Sequence, residues 1–143
     1  MKRIYKLAPL ILSLALVTPT FATDYTNHWA KASIDKWTSH NIVAGYDDGT
    51  FRPNNNVTRA ELATFITRAF GLADTTHSRK YTDVDASKWY ADAVDKVSAQ
   101  GIMYTPGNQF LPHQKVTREE AAYAIYRAYQ ISYTETPSLV DYR

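Results

Sequence analysis

Two stretches of the chain place apolar residues with the period of an amphipathic α-helix, and a shorter helical pattern precedes each of them. The longer stretches repeat apolar residues at i, i+3, i+4 and i+7, the spacing that lines one face of a helix. These positions are Leu62, Phe65, Ile66 and Ala69 in the first stretch and Ala121, Ala124, Ile125 and Ala128 in the second. The pattern predicts four helices.

Both longer helices open with the residues of a capping box. Thr58 precedes Glu61 by three residues, and Thr117 precedes Glu120 in the same way. In this motif the threonine hydroxyl accepts a hydrogen bond from an N–H of the first turn, and the carboxylate accepts one from the threonine N–H. The sequence therefore predicts that these four residues are structural caps.

The chain repeats itself at a spacing of about 60 residues. In the shorter helices, Trp29, Ile34, Trp37 and Ile42 align with Trp89, Val94, Val97 and Ile102. We expect these helices to run from about residue 29 to 40 and from about 89 to 100. Asn41 and Gly101 follow them and suit the left-handed conformation that ends many helices.

These helix-starting and helix-ending residues predict an all-α protein with two helix–loop–helix repeats packed together. The boundaries are 23–70 for the first repeat, 71–80 for a polar linker, 81–130 for the second repeat and 131–143 for a loose tail. A unit of about 50 residues buries too little surface to be stable alone. We therefore expect the repeats to pack on each other, or on copies from another chain that complete the fold by oligomerisation.

Residues 1–22 have the pattern of an export signal. Lys2, Arg3 and Lys6 precede an apolar stretch at 7–17, and small residues end at Ala22. Eleven apolar residues span only about 16 Å as a helix, roughly half of a hydrocarbon core. This length favours a cleaved signal peptide over a membrane anchor, so the mature chain is expected to work outside the cytoplasm.

Charge and composition exclude several functions. Three of the 16 Lys and Arg residues lie in the leader, which leaves 13 bases against 14 acids. A basic nucleic-acid module is therefore excluded. The chain has no Cys, which removes thiolate metal sites and thiol nucleophiles, and its four His residues stand apart from one another. We predict no metal, no cofactor and no catalytic residue.

The repeated motifs resemble those of the S-layer homology (SLH) family over about residues 24–128. The matching segments are 29–34 (WAKASI), 41–53 (NIVAGYDDGTFRP) and 58–61 (TRAE) in the first repeat, with 81–84 (YTDV), Trp89 and 117–120 (TREE) in the second. The resemblance implies a non-catalytic module that holds proteins on the bacterial cell wall. Relatives bind secondary wall polymers, typically pyruvylated, or peptidoglycan carrying polyamines.

The chain departs from the family pattern in three ways. It has two repeats, whereas three usually form a three-pronged spindle with ligand grooves between the prongs. Residues 104–108 (YTPGN) replace the Gly-Tyr-x-Asp-Gly loop, and Glu119 stands where the first repeat has Ala60. No large domain that the repeats would anchor is attached.

Arg59 is the leading candidate for ligand contact. A cation in the first turn of a helix opposes the helix dipole, so its placement is explained if Arg59 and free N–H groups hold an anion together. The alternative is an arginine paired with a nearby Asp. Arg118 stands at the equivalent position, where Glu119 and Glu120 reduce the positive potential. A cationic ligand would instead use those acids.

The remaining candidates lie in the first repeat. Tyr46 is either a lid over its loop or a platform for a sugar ring, and Asp48-Gly49 forms a tight turn beside it. Trp29 also belongs to the candidate ligand set, although its repetition as Trp89 favours a core role. Trp37 is expected to fill a core slot because Val97 replaces it in the second repeat.

These observations support an exported wall-binding protein that attaches to cell-wall polysaccharide or peptidoglycan at the cell envelope surface. The alternative is a structural envelope or S-layer subunit that acts through protein–protein assembly. It would associate with itself or with another SLH-bearing envelope protein, through the flank that a third repeat covers in the relatives.

Overall fold

A computed structural model describes residues 22–74 and 81–135, apart from 104 and 106. Its four helices are α1 (Lys31–Ser39), α2 (Arg59–Phe70), α3 (Ala91–Ala99) and α4 (Arg118–Glu135). No strand occurs in this part of the chain, where Thr58 and Lys115 form an isolated β-bridge. The expectation of an all-α fold is confirmed. The expected leader (except Ala22), most of the linker and residues 136–143 lie outside the described residues.

The helix ends follow the sequence signals closely. Thr58 and Glu61 form both hydrogen bonds of the capping box at the start of α2. Glu120 and Thr117 exchange the same two bonds before α4, at 2.9 and 3.1 Å. Asn41 and Gly101 have φ values of 58° and 65° after α1 and α3. All of these predictions are confirmed.

The last helix extends past the expected end of the second repeat. Helix α2 stops just before Gly71, which adopts φ 59°. The residue that aligns with Gly71 in the second repeat is Gln130. Glutamine is a good helix former and supplies no left-handed stop. Helix α4 therefore continues to Glu135, five residues into the segment that the sequence predicted as a tail.

The main core is built around α2. Helix α2 packs against both α3 and α4, whereas α1 packs on none of the other three described helices. The central buried side chains are Ala63 and Ile66 of α2, Val94 and Val97 of α3, Ile102, Phe110, and Ala124 and Ala128 of α4. The repeats thus pack on each other, with α2 of the first repeat set into the second.

Three tryptophans contradict the expectation of a core role. Trp29 and Trp89 are 90% and 65% exposed, and Trp37 is 43% exposed. Val97, which aligns with Trp37, is fully buried because α3 faces α2. Helix α1 has no corresponding neighbour, so Trp37 lies in contact with solvent.

An aspartate holds the central loop of each repeat in the same way. The Asp24 carboxylate accepts hydrogen bonds from the N–H groups of Phe51 and Arg52, at 2.9 and 2.7 Å. Asp83 accepts from Phe110 and Leu111, both at 2.8 Å. Arg52 and Leu111 both precede a proline and adopt left-handed φ values of 57° and 60°. This conformation is unfavourable for side chains with a Cβ, so each carboxylate stabilises a strained turn.

Candidate functional site: a cleft beside Arg59

Arg59 lies at the junction of the two repeats and is 3% exposed. Its Nε donates to the carbonyl oxygen of Phe110 at 2.8 Å, and its Nη1 donates to Glu120 Oε1 at 2.6 Å. The guanidinium carbon also lies 4.8 Å from the centre of the Phe110 ring. The side chain is therefore held from three directions by the second repeat.

One nitrogen of this guanidinium remains without a partner. Arg59 Nη2 is buried and forms no hydrogen bond. A buried donor without a partner costs about 1–3 kcal/mol, more when it is charged, so such groups are rare in native proteins unless a ligand or water satisfies them. Arg59 thus has unused capacity for hydrogen bonding to an acceptor.

A cleft of about 320 Å³ lies beside Arg59. Its lining residues are Arg59, Gly101, Ile102, Met103, Glu120 and Tyr123. Ile102 and Met103 are buried and provide an apolar wall, whereas Tyr123 is 53% exposed. An arginine, a carboxylate, an aromatic ring and an apolar wall suit a small ligand that has both polar and apolar faces.

Glu120 is ionised in this cleft at neutral pH. The N–H of Thr117 is the main cause that lowers the pKa of Glu120, and the Arg59 guanidinium lowers it further, against a smaller raising effect of burial. Glu120 therefore balances the Arg59 charge while it caps α4. The sequence predicted the cap and, for a cationic ligand, a ligand contact, but not the ion pair with Arg59. It offered one signal for the ion pair, namely that each Thr-Arg-x-Glu motif holds both an arginine and a glutamate.

The N–H groups at the start of α2 are not free, which corrects the expectation that they join Arg59 in holding an anion. The N–H of Arg59 donates to the carbonyl of Gln114 at 2.9 Å, and that of Ala60 donates to Pro112 at 3.0 Å. The loop of the second repeat covers this helix end. Of the groups proposed for anion binding there, Arg59 Nη2 alone remains available.

Tyr46 lies outside the lining of the cleft. Its hydroxyl donates to Glu61 Oε1 at 2.7 Å, and its ring lies under the Arg52 guanidinium at 4.4 Å. The hydrogen bond to Glu61 is the main cause that raises the pKa of Tyr46. Since the ring is 39% exposed, Tyr46 stays a predicted ligand contact, but one separate from the cleft at Arg59.

Asp48 and Gly49 form the turn that the sequence predicted. Asp48 Oδ1 accepts from the N–H and the hydroxyl of Thr50, at 3.0 and 2.6 Å, and Oδ2 pairs with Arg52. Gly49 has φ 79°. Both carboxylate oxygens of Asp48 are thus used inside the loop, and a ligand role for Asp48 and Gly49 remains a prediction.

Trp29 and Arg118 are exposed rather than gathered around Arg59. Trp29 packs only loosely beside His28, with ring centres 5.5 Å apart. Arg118 is exposed at the start of α4 and has no ion pair among the described residues. Neither residue lines the cleft. Their predicted ligand roles remain predictions.

The described ranges show neither a metal site nor a membrane span. No group of three His, Asp or Glu side chains there is placed to hold a metal ion. No helix between residues 22 and 135 has the length and apolar character needed to cross a bilayer.

A family model matches more than half of the chain. The model of the S-layer homology domain matches residues 23–63 and 80–122. Each matched segment overlaps one of the two repeats, and the boundaries 23–70 and 81–130 remain predictions.

Several large proteins contain segments similar to this chain. An amylopullulanase of Thermoanaerobacterium thermosulfurigenes is 36% identical over 108 residues, which are 76% of this chain and 6% of that enzyme. An endo-1,4-beta-xylanase A of Thermoanaerobacterium saccharolyticum is 36% identical over 97 residues, covering 68% of this chain and 8% of the enzyme. The S-layer protein sap of Bacillus anthracis is 27% identical over 124 residues, covering 87% of this chain and 15% of that protein. The chain thus spans a small part of each relative.

Proposed function

Because the chain belongs to the S-layer homology domain family, we propose that it is a non-catalytic module that attaches to polysaccharide or peptidoglycan of the bacterial cell wall. Relatives with unrelated names, two of them glycan-degrading enzymes and one an S-layer protein, share only this segment with it. A segment common to enzymes and surface-layer proteins fits a shared attachment role better than a shared reaction.

The observation that carries this proposal is the unpaired Nη2 of Arg59 beside a cleft. The ligand we propose is an acidic or acetal oxygen on a wall sugar, which would accept from Nη2 and remove the cost of an unsatisfied buried donor. The exposed ring of Tyr123 would stack on the apolar face of the sugar ring. Glu120 already neutralises much of the Arg59 charge, so the cleft would favour a single acceptor group over a highly charged polymer segment.

One cleft of this size gives weak binding, so retention would depend on many contacts along a repeating polymer. An exported location fits this function, and the leader at residues 1–22 remains a proposal with a direct test. Mass spectrometry of protein secreted by a bacterial host should give an N-terminus at Thr23.

Co-sedimentation with purified cell walls tests the binding proposal. Since Arg59 also holds the fold together, the primary variant is Tyr123→Ala, which changes an exposed wall of the cleft. The matched control is Tyr126→Ala, because Tyr126 is similarly exposed on α4 but does not line this cleft. We expect Tyr123→Ala to weaken retention at least about fivefold, as expected from the loss of one stacking contact, and Tyr126→Ala to leave it unchanged.

Parallel assays with pyruvylated polymer and with polyaminated peptidoglycan identify the ligand class. Retention by either material supports wall attachment, and preference for the pyruvylated polymer supports the acceptor role proposed for Arg59. Absence of retention on both materials, or equal retention of the two tyrosine variants, contradicts the proposed cleft.

A further inference from the structure

The interface between the two repeats has two sides. The equivalent of each side in the other repeat lies exposed on the same chain. One side is the start and inner face of α2. The other is α3 with the segment that follows it. By the repeat alignment, α4 is the copy of α2 and α1 is the copy of α3.

Helix α1 exposes the residues that its copy buries. Val97 and Ile102 are fully buried against α2. Their counterparts are Trp37, which is 43% exposed, and Ile42, which is only partly buried. Ile34, by contrast, is buried within its own repeat, as its counterpart Val94 is in the second.

Helix α4 exposes the matching face. Ala63 and Ile66 of α2 are 0% and 3% exposed, whereas their counterparts on α4 are Ala122, which is exposed, and Ile125, which is 51% exposed. A contiguous apolar face that is buried in one repeat and open in its copy indicates a docking surface rather than scattered surface residues.

Within the described residues, the charged groups of the interface also recur without ion pairs, although Glu61 accepts a hydrogen bond from the Tyr46 hydroxyl at 2.7 Å. Arg59 pairs with Glu120 and with the Phe110 carbonyl, and the counterparts of these groups are Arg118, Glu61 and the Phe51 carbonyl. Arg118 has no ion pair in the described ranges, and neither does Glu61. Among the residues that the structure describes, no hydrogen bond occupies the N–H groups of Arg118 and Glu119, whereas the equivalent groups of α2 are covered by a loop.

We propose that a second copy of this chain docks its α1 face onto the exposed face of α4, in the arrangement that α3 and α2 adopt within the chain. Arg118 would then donate to Glu61 and to the Phe51 carbonyl of the second copy. A second copy is the partner that fits, because both sides of the interface lie on one molecule in matching chemistry. The contact is heterologous, since it joins two different surfaces.

Glu119 is the one mismatch in this arrangement. It replaces Ala60, which is 1% exposed in the internal interface. A carboxylate at such a position weakens association because it loses water without a partner. Removal of this charge should therefore strengthen the contact between copies.

Sedimentation velocity over a range of concentrations tests the proposal on protein recovered from an exporting host. We expect concentration-dependent association. Trp37→Glu and Ile125→Glu should each raise the apparent dissociation constant at least about tenfold, and Glu119→Ala should lower it about tenfold. Ala32→Glu is the matched control, because Ala32 is exposed on α1 and its counterpart Asp92 stays exposed beside the internal interface.

Mixing the two disrupted variants provides the sharpest test. Trp37→Glu retains a native α4 face and Ile125→Glu retains a native α1 face, so an equimolar mixture should form a one-to-one heterodimer although each variant alone is monomeric. A monomeric native protein at all concentrations, association unaffected by both variants, or failure of the mixture to associate overturns the proposal. Binding only to a longer protein with SLH repeats also overturns the choice of a second copy. The assay contains no wall material, so its outcome is independent of the proposed wall binding.

Discussion

The guanidinium of Arg59 and the carboxylate of Glu120, 61 residues apart in sequence, meet at 2.6 Å. The two residues occupy different positions of the same repeated motif, so the arginine of one repeat pairs with the glutamate of the next. Each Thr-Arg-x-Glu motif thereby caps its own helix and joins the neighbouring repeat.

Replacement of Arg59 should weaken the fold much more than replacement of Arg118. Arg59→Ala removes two hydrogen bonds and leaves Glu120 without its cation, at a cost of about 2–4 kcal/mol. Arg118→Ala changes an exposed residue without an ion pair in the described part of the chain, so we expect a change within about 0.5 kcal/mol. Urea unfolding of dilute protein measures both values. Equal effects would contradict the buried role of Arg59.

The aspartates that hold the loops should matter because they stabilise left-handed residues. Asp83→Ala removes both acceptors for the N–H groups of Phe110 and Leu111, and we expect a loss of about 2–3 kcal/mol. Leu111→Gly in the same background relieves the strain at φ 60° and should recover part of this loss. Comparison of urea midpoints for the single and double variants checks the coupling, and purely additive effects would argue against it.

Gly101→Ala should destabilise the chain through backbone conformation rather than through a clash. Gly101 has φ 65°, and an added Cβ would lie 3.6 Å from Arg127 Nη2, which is ordinary van der Waals distance. The left-handed conformation costs a residue with a Cβ about 1–2 kcal/mol. Thermal unfolding should show the loss. Asn41→Gly, at the aligned position, should be neutral or slightly stabilising, and an equal loss in both variants would exclude this explanation.

Acid should reduce stability through Glu61 and Glu120. Burial raises the pKa of Glu61, but hydrogen bonds from Thr58 and Tyr46 outweigh it and lower the pKa below the ordinary value of 4.5. The pKa of Glu120 is also lowered. Because the folded pKa values lie below the unfolded ones, the stabilisation is fully present above about pH 4.5 and is lost as the pH falls through the folded values.

Urea unfolding at a series of pH values between 7 and 2.5 measures this loss. Glu120→Gln should show a shallower decline on acidification than the native chain. Glu119→Gln serves as the control, because Glu119 is exposed and forms no ion pair within the described ranges. An identical decline in the native chain and Glu120→Gln would contradict the linkage.

Local features of the fold were predictable from sequence, whereas the neighbours of each element were not. The capping boxes, the left-handed residues and the helical faces depend on spacing within a few residues, so Thr58, Asn41 and Gly101 behave as predicted. The predicted core role of the tryptophans was wrong, because the repetition of a residue shows that its position matters without showing which residues cover it. Trp37 and Val97 have the same position in the repeat, but only Val97 has a helix against it.

In the candidate site, too, features set by nearby residues were predictable, whereas contacts between distant segments were not. Arg59 was singled out correctly as unusual for a helix start, and it lines the cleft. Glu120 was named as a cap and as a contact for a cationic ligand. The remaining lining residues were missed, because Met103 and Tyr123 come together only when the second repeat packs over α2. The N–H groups at the helix start looked free from local rules and are covered by a loop more than 50 residues away.

The placement of α2 sets the boundary at which this protein can be divided. Helix α2 lies in the first repeat by sequence, yet its buried side chains complete the hydrophobic cluster of the second. A cut at the polar linker would separate these partners and leave both halves with an open core. We therefore expect a fragment that begins just before Thr58 to keep this core together, because the unit repeated in the sequence and the unit that packs are offset by about half a repeat.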